Sequence, residues 1–419
     1  MIEDFPEDLR PYTDREIPGA MQRIAAHKYF PQVASVIFPG ISPEEAVRKI
    51  LTVKTVIQFQ MEWMYAFNQQ VIQNTMEKFT YHFSPRIKKG TGYTFVSNHR
   101  DIILDSSLLQ MVLVFNHMPT SMITYGDNLL VNRLAEDIAR SNKMFKVVRR
   151  GNKRELFKNS HILSEFIRTC VREGDSCWIA QRNGRTKDGL DKTSQALVKM
   201  MAMSGSRKDP VENYASLHIV PVSISYEYEP CDFLKAGELL AGLDGLPYTK
   251  EEGEDLNSML TGVTQWKGNV HIHVGDPLTQ DDLEPLRDHD PDPAPLRHHD
   301  PDPAPLRHND PDPAPLRHND PDPAHHNDPA GFSARLCTLL DSRINTGYKC
   351  FPSNYIAHDL LHGTSANSER YSPQDKDAFI RRLDKLAGSH VQEKAREIYL
   401  RIYANPVQNL RDSAPFAGR

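Results

Sequence analysis

An α/β fold is predicted for this chain: a largely parallel sheet flanked by helices, with an N-terminal helical region and C-terminal helices. Three observations carry the prediction. From about residue 86, short apolar runs alternate with longer helical ones, the pattern of a parallel sheet whose crossovers are helices. The segments 1–85 and 361–419 read as helical. The chain has 419 residues, 39% of them hydrophobic, enough material for a sizeable core.

The elements follow in order. In the helical region 1–85, Ser42-Pro43-Glu44-Glu45 starts a helix, with Ser at the N-cap, Pro at the first helical position and Glu at the third. That helix is read as running on through Ile50, Ile57, Met61, Met64, Phe67 and Val71. Phe59, Trp63, Tyr65 and Phe67 cluster along it. Core packing is the plain reading of that cluster, and an interfacial membrane contact is the other. Residues 86–360 form the α/β domain, with strands expected at 93–98, 121–125, 145–149, 176–181, 217–227 and 268–275. Helical runs lie between them near 105–116, 128–141, 155–173 and 190–203. The third of these repeats through Leu156, Leu163, Ile167 and Cys170, and Gly174 stops it. In the segment 361–419, helices are expected at 374–386 and 390–403, the first capped by Ser372-Pro373.

The α/β domain is interrupted at 286–325 by ten-residue units close to L-R-H-N-D-P-D-P-A-P. Proline at this density forbids helix or sheet ladders, and little apolar area offsets the entropy of ordering. The insert reads as a disordered or polyproline-like expansion of a surface loop. Its paired histidines, His298-His299 and His325-His326, offer metal ligands, but tolerated expansion is the plainer account.

Bulk composition narrows the class. The net charge is −5, which argues against a nucleic-acid binder. Five cysteines without a C-x-x-C pair argue against a disulfide framework and for a reducing cytoplasm. The start, Met1-Ile2-Glu3-Asp4-Phe5-Pro6, is acidic and has no apolar signal core. No run approaches the roughly 20 apolar residues of a spanning helix. A cytoplasmic protein is expected, with peripheral attachment to the inner face of a membrane as its variant.

The chemistry concentrates at strand ends, where ligands of parallel sheets bind. Ser97-Asn98-His99-Arg100-Asp101-Ile102-Ile103-Leu104-Asp105 ends the first of these strands with an imidazole and nearby carboxylates, the parts of a general base and its orienting group. Asp105 or Asp101 can serve as partner; Asp105-Ser106-Ser107 also resembles an N-cap. Between 143 and 158 stand seven Lys or Arg, among them Arg149 and Arg150, against one acid, Glu155. The next block is Arg182-Asn183-Gly184-Arg185-Thr186-Lys187, where glycine allows close backbone approach and guanidinium groups suit phosphate. The last is Val220-Pro221-Val222.

In this order the blocks resemble the glycerolipid acyltransferase family, which includes glycerol-3-phosphate and 1-acylglycerol-3-phosphate acyltransferases. The resemblance covers about residues 90–225 and, weakly, Gly275-Asp276-Pro277. It implies transfer of a fatty acyl group from a thioester, acyl-CoA or acyl-carrier protein, to a hydroxyl of a glycerolipid-type acceptor. His99 would be the general base and Asp105 its partner. Arg149, Arg150, Arg182, Asn183, Gly184, Arg185 and Lys187 would bind substrate, and Val220-Pro221-Val222 would line the acyl region. The thioester is a co-substrate, and neither a metal nor a cofactor is required. Three departures stand out: H-x5-D is one residue longer than the family's spacing, Asn183 replaces the usual Glu, and Arg185-Thr186 reverses the usual Thr-Arg. The alternative is a non-catalytic lipid- or acyl-carrier-binding protein on the same fold. A serine hydrolase is disfavoured, because no G-x-S-x-G elbow is present.

Overall fold

A computed structural model describes residues 2–129, 132–206, 208–242, 248, 253–287, 331–386 and 392–413. The N-terminal helices are α1 (Ile17–Ala26), α2 (Phe30–Ile37), α3 (Pro43–Leu51), α4 (Val56–Phe59) and α5 (Tyr65–Thr75), with a π-helical turn over Gln60–Met64 between the last two. Then follow β1 (Lys78–Phe83), β2 (Thr94–Ser97), α6 (Leu104–Phe115), β3 (Met122–Gly126), α7 (Arg133–Ser141), β4 (Met144–Val147), α8 (Lys153–Arg172) and β5 (Cys177–Ala180). Next come α9 (Gln195–Ala202), α10 (Pro210–Ala215), β6 (Ile219–Tyr226), α11 (Asp232–Ala241), α12 (Glu254–Thr264), β7 (Asn269–Val274) and α13 (Gln280–Leu283). The chain closes with α14 (Phe332–Gly347), α15 (Pro352–His362), α16 (Pro373–Leu383) and α17 (Gln392–Ser413).

The strands form one sheet in the order β1-β7-β6-β2-β5-β3-β4. β6, β2, β5, β3 and β4 run parallel, whereas β7 is antiparallel to β6 and β1 is parallel to β7. The central strands are buried on both faces, and their side chains split by the period of two. Val96, Ile179 and Ile219 face α8, α9 and α14. Phe95, Trp178 and Val220 face α6 and the end of α5. Pro221 is tolerated in this central strand because its carbonyl accepts from Gly275 at 3.0 Å, so its missing donor also faces β7, where that ladder ends.

The six expected strands are all present, with ends shifted by a residue or two. Several readings change, the run expected at 190–203 among them, which is helical only from Gln195. Residues 78–83, inside the segment read as helical, form β1, because Lys78-Phe79-Thr80-Tyr81-His82-Phe83 finds the free edge of β7. The single helix from Ser42 is two, since Thr55 restarts it with a capping box closed by Gln58. The run expected at 128–141 begins as a helix only at Arg133, capped by Asn132. Asp105 is not an N-cap: α6 starts at Leu104, whose N–H, with that of Ile103, is accepted by Asp101.

Phe59 and Trp63 are buried with Phe30 and Ile50 in an N-terminal core. The tail shares a core with α11 through Leu239, Ile356, Phe379 and Tyr403, and the boundary expected at 361 falls inside α15. The repeats lie outside the described residues from 288 onward. Their flanks meet, with Arg335 Nε donating to the Leu286 carbonyl at 2.8 Å. Among the described residues no helix is long and apolar enough to cross a membrane.

Candidate active site

The loop after β2 is built residue by residue. Asn98, fully buried, continues the sheet with its side chain: Oδ1 accepts from Ile224 N at 2.8 Å and Nδ2 donates to the Ile224 carbonyl at 3.0 Å. This pins the chain just before His99. His99 Nδ1 then stands 2.8 Å from Asp105 Oδ2. The same oxygen accepts the backbone N–H of Arg100 at 2.6 Å and of Asp101 at 2.9 Å. Asp105 Oδ1 accepts from the Tyr226 hydroxyl at 3.0 Å. A carboxylate that already accepts from three donors has only acceptor capacity to offer the ring, so Nδ1 carries the hydrogen and the lone pair sits on Nε2. Trp178 meets the imidazole edge-on at 6.0 Å between ring centres.

Asp105 is therefore the partner of His99, and Asp101 has the capping role. The extra residue of the H-x5-D spacing is absorbed by this turn. Burial raises the Asp101 carboxyl above its usual range, the Asp105 charge adds to that, and the Arg185 charge opposes it.

Beneath the loop, Arg100 is fully buried between Asp191 and Glu229, and its guanidinium lies 5.1 Å from the Tyr348 ring centre. Lys235 completes the set, donating to Glu229 at 2.6 Å and to the Arg100 carbonyl at 2.7 Å. Burial pushes the Asp191 carboxyl up, against the pull of Arg100. Two cations against two acids make a closed, neutral set, which a buried ionic cluster requires.

The basic block after β5 adjoins the loop, since Thr186 N donates to the His99 carbonyl at 2.8 Å. Gly184 has φ of 73°, a left-handed conformation that favours glycine. Arg182 and Asn183 are partly exposed beside it. Arg185 turns inward, close to Cys231 and Asp101, with Nη1 buried and lacking a hydrogen-bond partner. Lys187 is buried and ion-paired with Glu238, which removes it from the expected anion site. Arg149 and Arg150 are exposed after β4. The Arg149 guanidinium lies over Gly126, where an added Cβ would come within 2.7 Å of its central carbon.

Because β2, β5, β3 and β4 are parallel, His99, the 182–185 turn, Gly126 and Arg149–Arg150 share one edge of the sheet. Gly275-Asp276-Pro277 does not: β7 runs the other way and ends at the opposite edge. Val220, Pro221 and Val222 lie in β6 beside β2. Sequence reasoning did not find Tyr226, Asp191, Glu229 or Lys235. Only Tyr226 left a signal, an acid-binding hydroxyl at the end of an apolar strand. Among the described residues no group of three or more His, Cys, Asp or Glu is placed to hold a metal ion.

Residues 78–225 match the Acyltransferase family. Dihydroxyacetone phosphate acyltransferase of Bos taurus is 25% identical over 184 residues, which are 43% of this chain and 25% of that protein. The enzyme of that name from Mus musculus is 23% identical over 184 residues, 43% of this chain and 26% of its own length. The match thus spans about a quarter of the length of these relatives. The crystal structure of the 1-acyl-sn-glycerophosphate (LPA) acyltransferase PlsC from Thermotoga maritima aligns at 15% identity and a TM-score of 0.29, over 63% of this chain and 85% of that one. The family match begins with β1 and ends within β6, so it takes in the His99 loop, its Asp105 partner and both basic turns. Residues 78–225 thus match an acyltransferase domain, and this part of the chain is similar to glycerolipid acyltransferases.

Proposed function

We propose that the chain transfers a fatty acyl group from an acyl thioester to a hydroxyl of a glycerolipid-type acceptor such as 1-acylglycerol 3-phosphate, with His99 as general base. The observation that carries this is the His99–Asp105 pair, held by the Tyr226 hydroxyl and two backbone N–H groups. His99 Nε2 takes the proton of the acceptor hydroxyl as its oxygen attacks the thioester carbonyl carbon. The C–S bond of the resulting tetrahedral adduct breaks, and the departing sulfur takes the proton from the imidazolium. Asp105 holds the ring in the required tautomer and stabilises its charge between the two steps. Holding the two substrates together supplies much of the acceleration.

Arg149, Arg150, Arg182 and the buried donor of Arg185 would hold phosphate of the acceptor or of the donor, with Gly184 admitting it close to the backbone. Asn183, where the family has Glu, keeps hydrogen bonding without charge and bears on acceptor choice. The test is direct. Purified chain is incubated with labelled acyl-CoA or acyl-carrier protein and a panel of phosphorylated and neutral glycerol acceptors, and products are identified by mass. An acyl ester of a phosphorylated acceptor is expected. Thioester hydrolysis alone, or no product with any acceptor, would refute the reading.

A further inference from the structure

Helix α12 is built inside out. Its buried positions are the small residues Ser258 and Gly262, one turn apart. Leu256 and Leu260, also one turn apart, are 45% and 56% exposed, and Trp266 just beyond the helix is 44% exposed. A surface helix ordinarily buries its leucines. Here the inward face meets the His99 loop and its surroundings. The Ser258 carbonyl accepts from Cys231 Sγ at 3.2 Å, and a Cβ on Gly262 would come within 2.1 Å of Asp101 Oδ2. Only small residues fit against that loop, so the leucines are turned outward at the edge of the sheet where His99 lies.

The same edge carries a cationic face. Arg149, Arg150, Lys153, Arg154 and Lys158 are exposed, with Phe157 47% exposed among them. Glu155 is the one acidic residue within 149–158, and its carboxylate closes the capping box of α8. The two patches adjoin. Asn128 Nδ2 donates to Asp255 of α12 at 3.3 Å, and Arg149 lies over Gly126 beside Asn128. The acids at the start of α12 are engaged, Asp255 by Asn128 and Glu254 by the Tyr248 hydroxyl at 2.6 Å.

We propose that this edge docks on an anionic membrane surface. Phe157, Leu256, Leu260 and Trp266 enter the headgroup region, and Arg154 and Lys158 meet lipid phosphates. Outward aromatic and aliphatic residues beside clustered Lys and Arg are the chemistry of interfacial binding. These groups stand on separate elements spread along one edge, which suits a plane better than the groove a single partner helix would need. The purpose of the docking, delivery of a lipid acceptor to His99, rests on the proposed function; its test does not.

The full chain is mixed with vesicles of phosphatidylcholine alone and with vesicles in which about a third of the lipid is phosphatidylglycerol. Binding is read by sedimentation and by tryptophan emission. Trp63 and Trp178 are buried, so a blue shift reports Trp266. Binding to the anionic vesicles is expected, weakening with salt, and far less to the neutral ones. Arg154→Ala with Lys158→Ala should weaken it about 30-fold, at about 1 kcal/mol per cation. Leu256→Ser with Leu260→Ser should remove the blue shift and most sedimentation at unchanged melting temperature. Turnover of soluble short-chain substrates should be unaffected by either pair, and if the chain shows no turnover the vesicle result still decides the docking. Absence of binding to anionic vesicles, or equal binding by all variants, would overturn the proposal. So would vesicle-free capture of an acidic acyl-carrier protein through the same residues, which would assign the face to a protein partner.

Discussion

Two loops on one sheet edge differ in how they are held. In the His99 loop, Asn98, Arg100, Asp101 and Asp105 are all fully buried, and each is fixed by side-chain or backbone partners. In the segment 149–158, the cations are exposed, and Asn152 and Glu155 close a capping box at the start of α8. The difference matches what each does in the proposed reaction. Proton transfer needs a nitrogen at a fixed distance and in one tautomer, so its loop is over-determined. Gathering an anion needs only charge within reach, so the long, exposed side chains of Arg149 and Arg150 suffice.

The comparison can be broken most sharply at His99. His99→Ala should lower acyl transfer by about 10²- to 10⁴-fold, the usual worth of a general base, while the melting temperature stays near wild type because the ring is partly exposed. Activity within a few-fold of wild type would remove the imidazole from the mechanism. Thermal or denaturant unfolding of Arg100→Ala should show a loss of about 3–5 kcal/mol, because Asp191 and Glu229 are left buried around a missing cation. A loss near zero would mean that water compensates them.

A paired test separates the two acids of the loop. Asp105→Asn should cut kcat by about 10²-fold or more, since an amide cannot both accept from the ring and satisfy the other donors. Asp101→Asn keeps an acceptor for the start of α6 and should change kcat only a few-fold. Equal effects would show that Asp101 acts on the ring as well.

In the exposed turn, Arg149→Ala with Arg150→Ala should leave stability unchanged and raise KM for the phosphate-bearing substrate by about 10- to 150-fold, the range of one charge-assisted hydrogen bond. Loss of stability instead would make this turn as structural as its neighbour.

The smallest effect lies at the other end of the sheet. Burial, helped by the charges of Lys349, His273 and His82, lowers His271 to about 4. The unfolded chain therefore binds the extra proton first, and stability is lost as pH falls from about 6.5 toward 4. Burial raises Asp341 to about 6, and that group acts oppositely, adding stability as pH falls through 6. Melting curves of His271→Asn should gain on wild type between pH 7 and pH 5; a constant difference would show that the imidazole is not held neutral.

Much of this was legible in the residues. Five parallel strands could be read from alternation, because their apolar runs must be buried on both faces. His99 and Asp105 could be paired as candidates, because strand ends collect ligands. β1 could not be read, since Lys78-Phe79-Thr80-Tyr81-His82-Phe83 becomes a strand only when β7 offers a free edge. Nor could the fate of the basic residues: Lys187 and Arg150 look alike in the chain, yet one pairs with Glu238 on α11 and the other faces water. Local pattern determined the elements and the residue types at their ends, because period and capping act within a few residues. Which carboxylate meets the imidazole, which cation is spent on an internal acid and which face of α12 turns outward were decided by tertiary contacts. Those depend on groups such as Tyr226, 121 residues beyond Asp105, that no local pattern brings together.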